Sequence, residues 1–221
     1  MKTYIIIPAY NESSGLAPVL ESLLALNYRI IMVDDGSTDD TAKIAATFPV
    51  LLIRHEINLG QGAALETGME AARQLNADFV IHFDADGQHD PSDIGQLLLP
   101  LLNGEADIVF GSRFLEKKPS GLPLSRKITL KAGRWVNYAM TGILLTDAHN
   151  GLRALNSKTL HTIHFRQTGM AHASEILYEV RRKSLRYLEL PVHILYTDYS
   201  KQKGQGILNS VNIIFHLLFK R

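Results

Sequence analysis

The chain has 221 residues, 46% of them hydrophobic and 20% charged, with a formal net charge of +1 and no cysteine. Such a balance suits one soluble globular domain with a substantial core and room for a small appendage. The near-zero charge and the lack of a long basic block give no electrostatic basis for binding nucleic acid, and the missing cysteines exclude disulfides, thiolate nucleophiles and cysteine-based zinc sites.

In chain order, Tyr4–Pro8, Arg29–Asp34, Val50–Arg54, Phe79–Asp84 and Asp107–Gly111 are short apolar runs, the pattern of buried strands. Between them Ser14–Leu26, Asp39–Thr47, Gln61–Leu75 and Pro91–Asn103 carry apolar positions at helical spacing. Asp90-Pro91-Ser92-Asp93 marks a helix start, with an N-cap, a proline at the first helical position and an acid in the first turn. Alternating strands and helices predict an α/β fold, a mainly parallel sheet with helices on both faces. Leu115–Leu124 breaks the pattern and reads as a mobile surface loop. Beyond it, Ser125–Thr141 and His172–Lys183 are predicted helices, the first with Arg126 and Lys131 and the second with Glu175, and Arg186–Leu195 a predicted strand. In Gly206–Phe219, Ile207, Leu208, Val211, Ile214, Phe215 and Leu218 form one apolar helical face, suited to a membrane surface, a partner or the protein's own sheet. The expected division is therefore a domain over residues 1–205 and a terminal amphipathic helix over 206–221. No run reaches the roughly 18 apolar residues needed to span a bilayer, and the first eight residues do not make a signal peptide, so a cytoplasmic protein is expected.

Four of the predicted strands end in polar, loop-forming residues. They are Pro8-Ala9-Tyr10-Asn11-Glu12, then Val33-Asp34-Asp35-Gly36-Ser37, then Asn58-Leu59-Gly60-Gln61-Gly62, and Asp84-Ala85-Asp86-Gly87-Gln88-His89. In a parallel sheet these ends share one edge, where open α/β sheets bind ligands. Two carboxylates one residue apart, at Asp84 and Asp86, suit a hard divalent cation such as Mg²⁺ that fills its shell with phosphate and water. Read singly, Glu12, Asp35 and Ser37 are also ordinary capping and turn residues. His82 reads as an interior histidine, and His89 is a weaker candidate for a further metal ligand.

Taken in this order, with Gly111-Ser112-Arg113-Phe114 and the Asp147–Ala154 segment, the motifs resemble those of the family 2 glycosyltransferases with the GT-A fold, a Rossmann-like nucleotide-diphospho-sugar transferase fold. The likeness is greatest to the dolichol-phosphate mannose synthase-like branch. That resemblance implies an inverting hexosyltransferase using Mg²⁺ or Mn²⁺, a UDP- or GDP-sugar donor, and a polyprenyl phosphate or envelope glycan acceptor reached by peripheral membrane contact. It implies nucleotide-sugar contacts for Pro8, Tyr10, Glu12, Val33, Asp35, Asp84, Ala85, Asp86, Arg113 and Lys203, with Asp84, Asp86 and Gln88 at the metal. It places Arg126 and Lys131 at an anionic acceptor and makes the Asn58–Ala64 loop a helix N-terminus facing the site. A lipid phosphate needs no general base; for a hydroxyl acceptor Asp147 and Glu175 are the candidates. Thr197–Gln205 departs from the branch's Arg-x-x-Gly-x-Ser-Lys pattern, keeping only Lys203 in register with the final lysine. Three alternatives remain: a soluble-acceptor transferase, a sugar-1-phosphate nucleotidyltransferase, whose basic loop after the first strand is lacking here, and a non-catalytic nucleotide-sugar-binding subunit, against which the intact Asp84/Asp86 pair argues.

Overall fold

The structure is a computed structural model that describes residues 1–115, 138–139, 141–148 and 150–195. The expectations for Arg126, Lys131, Lys203, most of the 115–124 loop and the helix over 206–221 therefore lie outside the described residues.

In chain order the elements are β1 (Thr3–Ala9), α1 (Leu16–Leu24), β2 (Arg29–Asp34), α2 (Thr41–Ala45), β3 (Leu51–Arg54), α3 (Gln61–Gln74) and β4 (Phe79–His82). A 3-10 turn at Pro91–Asp93 then leads into α4 (Ile94–Leu102), followed by β5 (Ile108–Ser112), β6 (Arg153–Asn156), α5 (Ser157–Thr162), α6 (His172–Arg182) and β7 (Tyr187–Pro191). The strands form one seven-stranded sheet in the order β3-β2-β1-β4-β6-β5-β7. All run parallel except β6, which is antiparallel to β4 and to β5.

β1 lies inside the sheet with both faces covered. Its alternate side chains therefore enter two separate cores. Tyr4 and Ile6 join Ile31, Val33, Leu65, Met69 and Ile176 on the face covered by α3 and α6. Ile5 and Ile7 join Leu16, Leu20, Leu23, Leu97 and Leu101 under α1 and α4. Ile5, Ile6 and Ile7 are each fully buried, worth about 1.5–3 kcal/mol apiece in removed apolar surface. Helices on both faces, as the alternation predicted, leave the carboxyl ends of the parallel strands open along one edge.

The expected helix start at Asp90 is present, with the Asp90 carboxylate accepting from Ser92 N at 2.9 Å. The expected strand over Arg186–Leu195 stops at Pro191. Its continuation leaves β5 for the loop after β4, where Ile194 bridges His89 and Leu195 N donates to Gln88 O at 2.8 Å. β6 and α5 have no counterpart in the sequence-based reading. Among the described residues no helix is long and apolar enough to cross a membrane.

Candidate active site

The loops after β1 and β2 are laced together. Asn11 takes a left-handed backbone (φ 54°), its N–H donates to Ser37 Oγ at 2.9 Å, and its Oδ1 accepts from Thr38 N at 2.9 Å. Glu12 N donates to Thr41 Oγ1 at 2.8 Å. Tyr10 stands 44% exposed, while Pro8 and Val33 are buried register partners at the ends of β1 and β2.

Asp35, expected at the nucleotide sugar, is engaged by the protein's own groups. Its carboxylate is buried and accepts from Leu59 N at 2.9 Å and Gly60 N at 2.7 Å, with His55 Nδ1 at 2.7 Å. His55 Nε2 in turn faces Thr67 Oγ1 on α3 at 2.9 Å. A carboxylate engaged in this way anchors the 55–60 loop. The neighbouring Gly36 has φ 72°, and a Cβ there would lie 2.5 Å from the Ile57 carbonyl carbon, so the tight crossing of the two loops requires glycine.

The N-terminus of α3 is also already occupied. Gly62 N and Ala63 N both donate to Thr168 O, at 2.7 and 3.2 Å. The glycines permit close backbone approach as expected, but the chain approached is the 167–169 segment: a Cβ on Gly62 would sit 2.0 Å from Gln167 O. What α3 presents to the strand ends is Gln61, whose Nε2 donates to Asp84 Oδ1 at 3.0 Å.

Asp84 and Asp86 line a cavity of about 120 Å³ with Gln88, His89, Arg113, Asn150, Gly151 and Ile194. Asp84 is gripped from two sides, by Gln61 and by His89 Nε2 at 3.0 Å. Burial disfavours its charge, but the His89 contact and the nearby Arg153 and His172 outweigh that and hold its carboxyl below the usual range. Asp86 is pushed the other way, by burial and then by the charge of Asp84, with Glu12 adding to the repulsion. Among the described residues its carboxylate accepts a single hydrogen bond, from Gln88 N at 3.0 Å. Ala85 between them turns its methyl into the core with Ile5, so its side chain is a packing group and not a contact to a ligand.

Arg113 reaches this cavity from the end of β5. Its Nε and Nη2 clasp the two oxygens of Asp147 at 2.6 and 2.7 Å, and its backbone N donates to the same carboxylate at 3.1 Å. Burial opposes charge on Asp147, and the guanidinium more than compensates, so its carboxyl sits below the ordinary value. Asn150 also donates to Asp147 at 3.3 Å and accepts from Leu152 N at 2.9 Å. Beneath both carboxylates lies Arg153, fully buried, its pKa lowered to about 10 by burial against the opposing pull of Asp84 and Asp147. His82, expected as an interior histidine, is buried beside Phe165 with its pKa lowered to about 3, by burial and then by the cations Arg153 and His172.

Glu175 does not join this group. On α6 it accepts from Arg166 N at 3.1 Å and Gln167 N at 2.9 Å, pinning the segment that plugs α3. Sequence reasoning also passed over Gln61, Asn150 and Arg153. All three stood in quoted motifs, Gln61 in the Asn58–Gly62 loop and the other two in the Asp147–Ala154 segment, but nothing in those motifs marked the side chains themselves.

The loop after β4 thus brings two carboxylates to a cavity that Arg113 also lines, on a fold whose family the comparisons show. The profile of Glycosyl transferase family 2 matches residues 4–171, and the chain belongs to that family: it is a glycosyltransferase. It is 34% identical to a UDP-N-acetylglucosamine–dolichyl-phosphate N-acetylglucosaminyltransferase of Methanococcus voltae, over 97% of this chain and 94% of that protein. It is 31% identical to a dolichol-phosphate mannosyltransferase of Pyrococcus furiosus, covering 99% of this chain but 64% of that longer protein. Among solved structures, mannosyl-3-phosphoglycerate synthase from Rubrobacter xylanophilus superposes with a TM-score of 0.74 at 19% identity, over 99% of this chain and 72% of that one. Glucosyl-3-phosphoglycerate synthase from Mycobacterium tuberculosis, in complex with Mn²⁺, UDP-glucose and glycerol 3-phosphate, superposes at 0.67 with 20% identity, over 98% of this chain and 79% of that one. Both share the GT-A fold with this protein.

Proposed function

We propose that the protein moves a sugar, with inversion, from a nucleoside-diphosphate sugar to a polyprenyl phosphate, in a reaction that depends on a divalent cation. The observation that carries this reading is the opposed charge in one cavity: the Asp84/Asp86 pair on one wall and the Arg113 guanidinium on the other. Asp86 fits a metal. It is a carboxylate made reluctant to ionise by a like charge, with one backbone donor, and a bound cation would relieve that repulsion. Among the described residues no group of three or more His, Cys, Asp or Glu forms a ready-made cage, which suits Mg²⁺ or Mn²⁺ completing its shell with substrate phosphates. Asp86, with Asp84 and Gln88 beside it, would hold the ion, which when bound offsets charge on the departing diphosphate.

The chain's own residues do the rest. Arg113 offers a forked cation to phosphate, oriented in advance by Asp147. Tyr10 is exposed and Glu12 half-buried beside the β1 end, where a nucleoside would lie, and Asp35 fixes the adjoining 55–60 loop. Gly151 packs so closely on Asp84 that a Cβ would lie 2.0 Å from its Oδ2, which fixes that carboxylate in place.

The acceptor class follows from the fate of the two carboxylates named for general-base work. Asp147 is clasped by Arg113 and held ionised, and Glu175 is spent on backbone amides. Neither is placed to take a proton, which favours an acceptor that is already an anion. The dolichyl-phosphate enzyme at 34% identity supports the same choice, and a lipid acceptor would place the reaction at a membrane surface. The test supplies UDP- and GDP-sugars with Mn²⁺ and either short-chain polyprenyl phosphate or the matching free alcohol. Sugar appearing on the phosphate alone supports the reading; transfer to the alcohol, or to neither lipid with any donor, contradicts it.

A further inference from the structure

A carboxylate outside the cavity holds one of its walls. Glu189 lies near the middle of β7, half-buried, and points at the turn that precedes Asp147. Thr146 N donates to both of its oxygens, at 2.8 and 2.9 Å, and Asp147 N donates to Oε1 at 2.9 Å. Two consecutive backbone amides thus converge on one ionised side chain from a strand more than forty residues away. The turn they pin carries Asp147, whose oxygens meet Arg113 Nε and Nη2, and Arg113 lines the cavity with Asp84 and Asp86. Each link is a short, charge-assisted contact.

We propose that Glu189 is a positioning residue for Arg113, holding the guanidinium over the carboxylate cavity by fixing the 146–147 turn. That this position matters to transfer rests on the function proposed above; the coupling itself rests on the geometry alone. Both N–H groups reach Oε1, and Thr146 N also reaches Oε2, so glutamine keeps an acceptor for both but loses the charge and sets its NH₂ against the Thr146 N–H. Catalytic geometry is sensitive to such support, since a misplacement of about 1 Å can cost about a hundredfold in rate.

The experiment compares Glu189→Gln with Asp107→Asn. Asp107 fastens the start of the same strand, accepting from Arg186 N at 2.9 Å, and does not touch the 146–147 turn. It controls for loosening β7. The first readout is the side-chain Nε–H NMR signal of Arg113, assigned by its loss in Arg113→Lys. That signal should move and exchange faster in Glu189→Gln and hold its place in Asp107→Asn. The second readout is kcat/KM for transfer, expected to fall about ten- to a hundredfold in Glu189→Gln, with little further loss when Arg113→Lys is already present. Glu189→Asp, which keeps the charge, should recover part of the loss and serves if Glu189→Gln does not fold. An unmoved Arg113 signal, or losses that multiply in the double variant, would overturn the inference. A shifted signal in a protein whose wild type transfers no sugar would leave the coupling standing and count against the function.

Discussion

Asp84 and Asp86 are separated by one residue and held in opposite electrostatic states. Asp84 is stabilised as an anion by His89, Arg153 and Gln61, whereas Asp86 has burial and two neighbouring carboxylates against it. The raised group makes the empty protein less stable as pH rises through its folded value, because the native state then loses a proton it held more tightly than the unfolded chain does. Asp86→Asn should therefore raise the melting temperature of the ligand-free protein near pH 7, by about 1–3 °C, while abolishing metal-dependent stabilisation by nucleotide. A lower melting temperature would show that Asp86 is not under strain. Asp84 and Asp147 run the other way. Their stabilisation is complete above the ordinary aspartate value of 3.8 and is lost as pH falls from there through their lower folded values. Urea midpoints measured as pH falls below about 4 should drop, and the drop should be shallower in Asp147→Asn.

The parallel half of the sheet was legible because its strands are continuous apolar runs with turn residues behind them. β6 escaped because its four residues begin with a charge: Arg153 is fully buried, and no rule of apolar periodicity predicts a strand around a buried arginine. The six-residue α5 is too short to show a helical period. At α3 the glycines were legible as a close approach, but not what approaches, because the partner segment lies about a hundred residues further on. That contact is testable. Gly62→Ala places a methyl against Gln167 O and should cost about 1–3 kcal/mol, measured as a shift in urea midpoint. If the variant is as stable as the wild type, the 167–169 segment does not sit on α3 in solution. The roles of Asp35 and Glu175 were hidden at shorter range, because loop geometry and not sequence pattern sets them. Each is a carboxylate in the right motif or helix, yet its oxygens go to backbone amides of loops that only the fold brings near.

Across the molecule, one edge of the sheet gathers the ends of β1, β2, β4 and β5, and the chemistry follows from that gathering. The carboxylate pair, the arginine and the exposed Tyr10 follow three different strands, β4, β5 and β1, and a mainly parallel sheet aligns them. The larger hollow of about 500 Å³ between α3 and Phe165–Thr168 shares none of these residues. The measurement that bears most directly on a metal-dependent nucleotide-sugar site is a thermal melt with UDP and with GDP, each with and without Mn²⁺, on the wild type and on Asp86→Ala. Ligands that bind the native state raise the melting temperature through linkage, by an amount set by their concentration relative to Kd. The account predicts a rise with one nucleotide that requires Mn²⁺ and disappears in Asp86→Ala. A rise that is indifferent to the metal, or that survives the loss of Asp86, would contradict it.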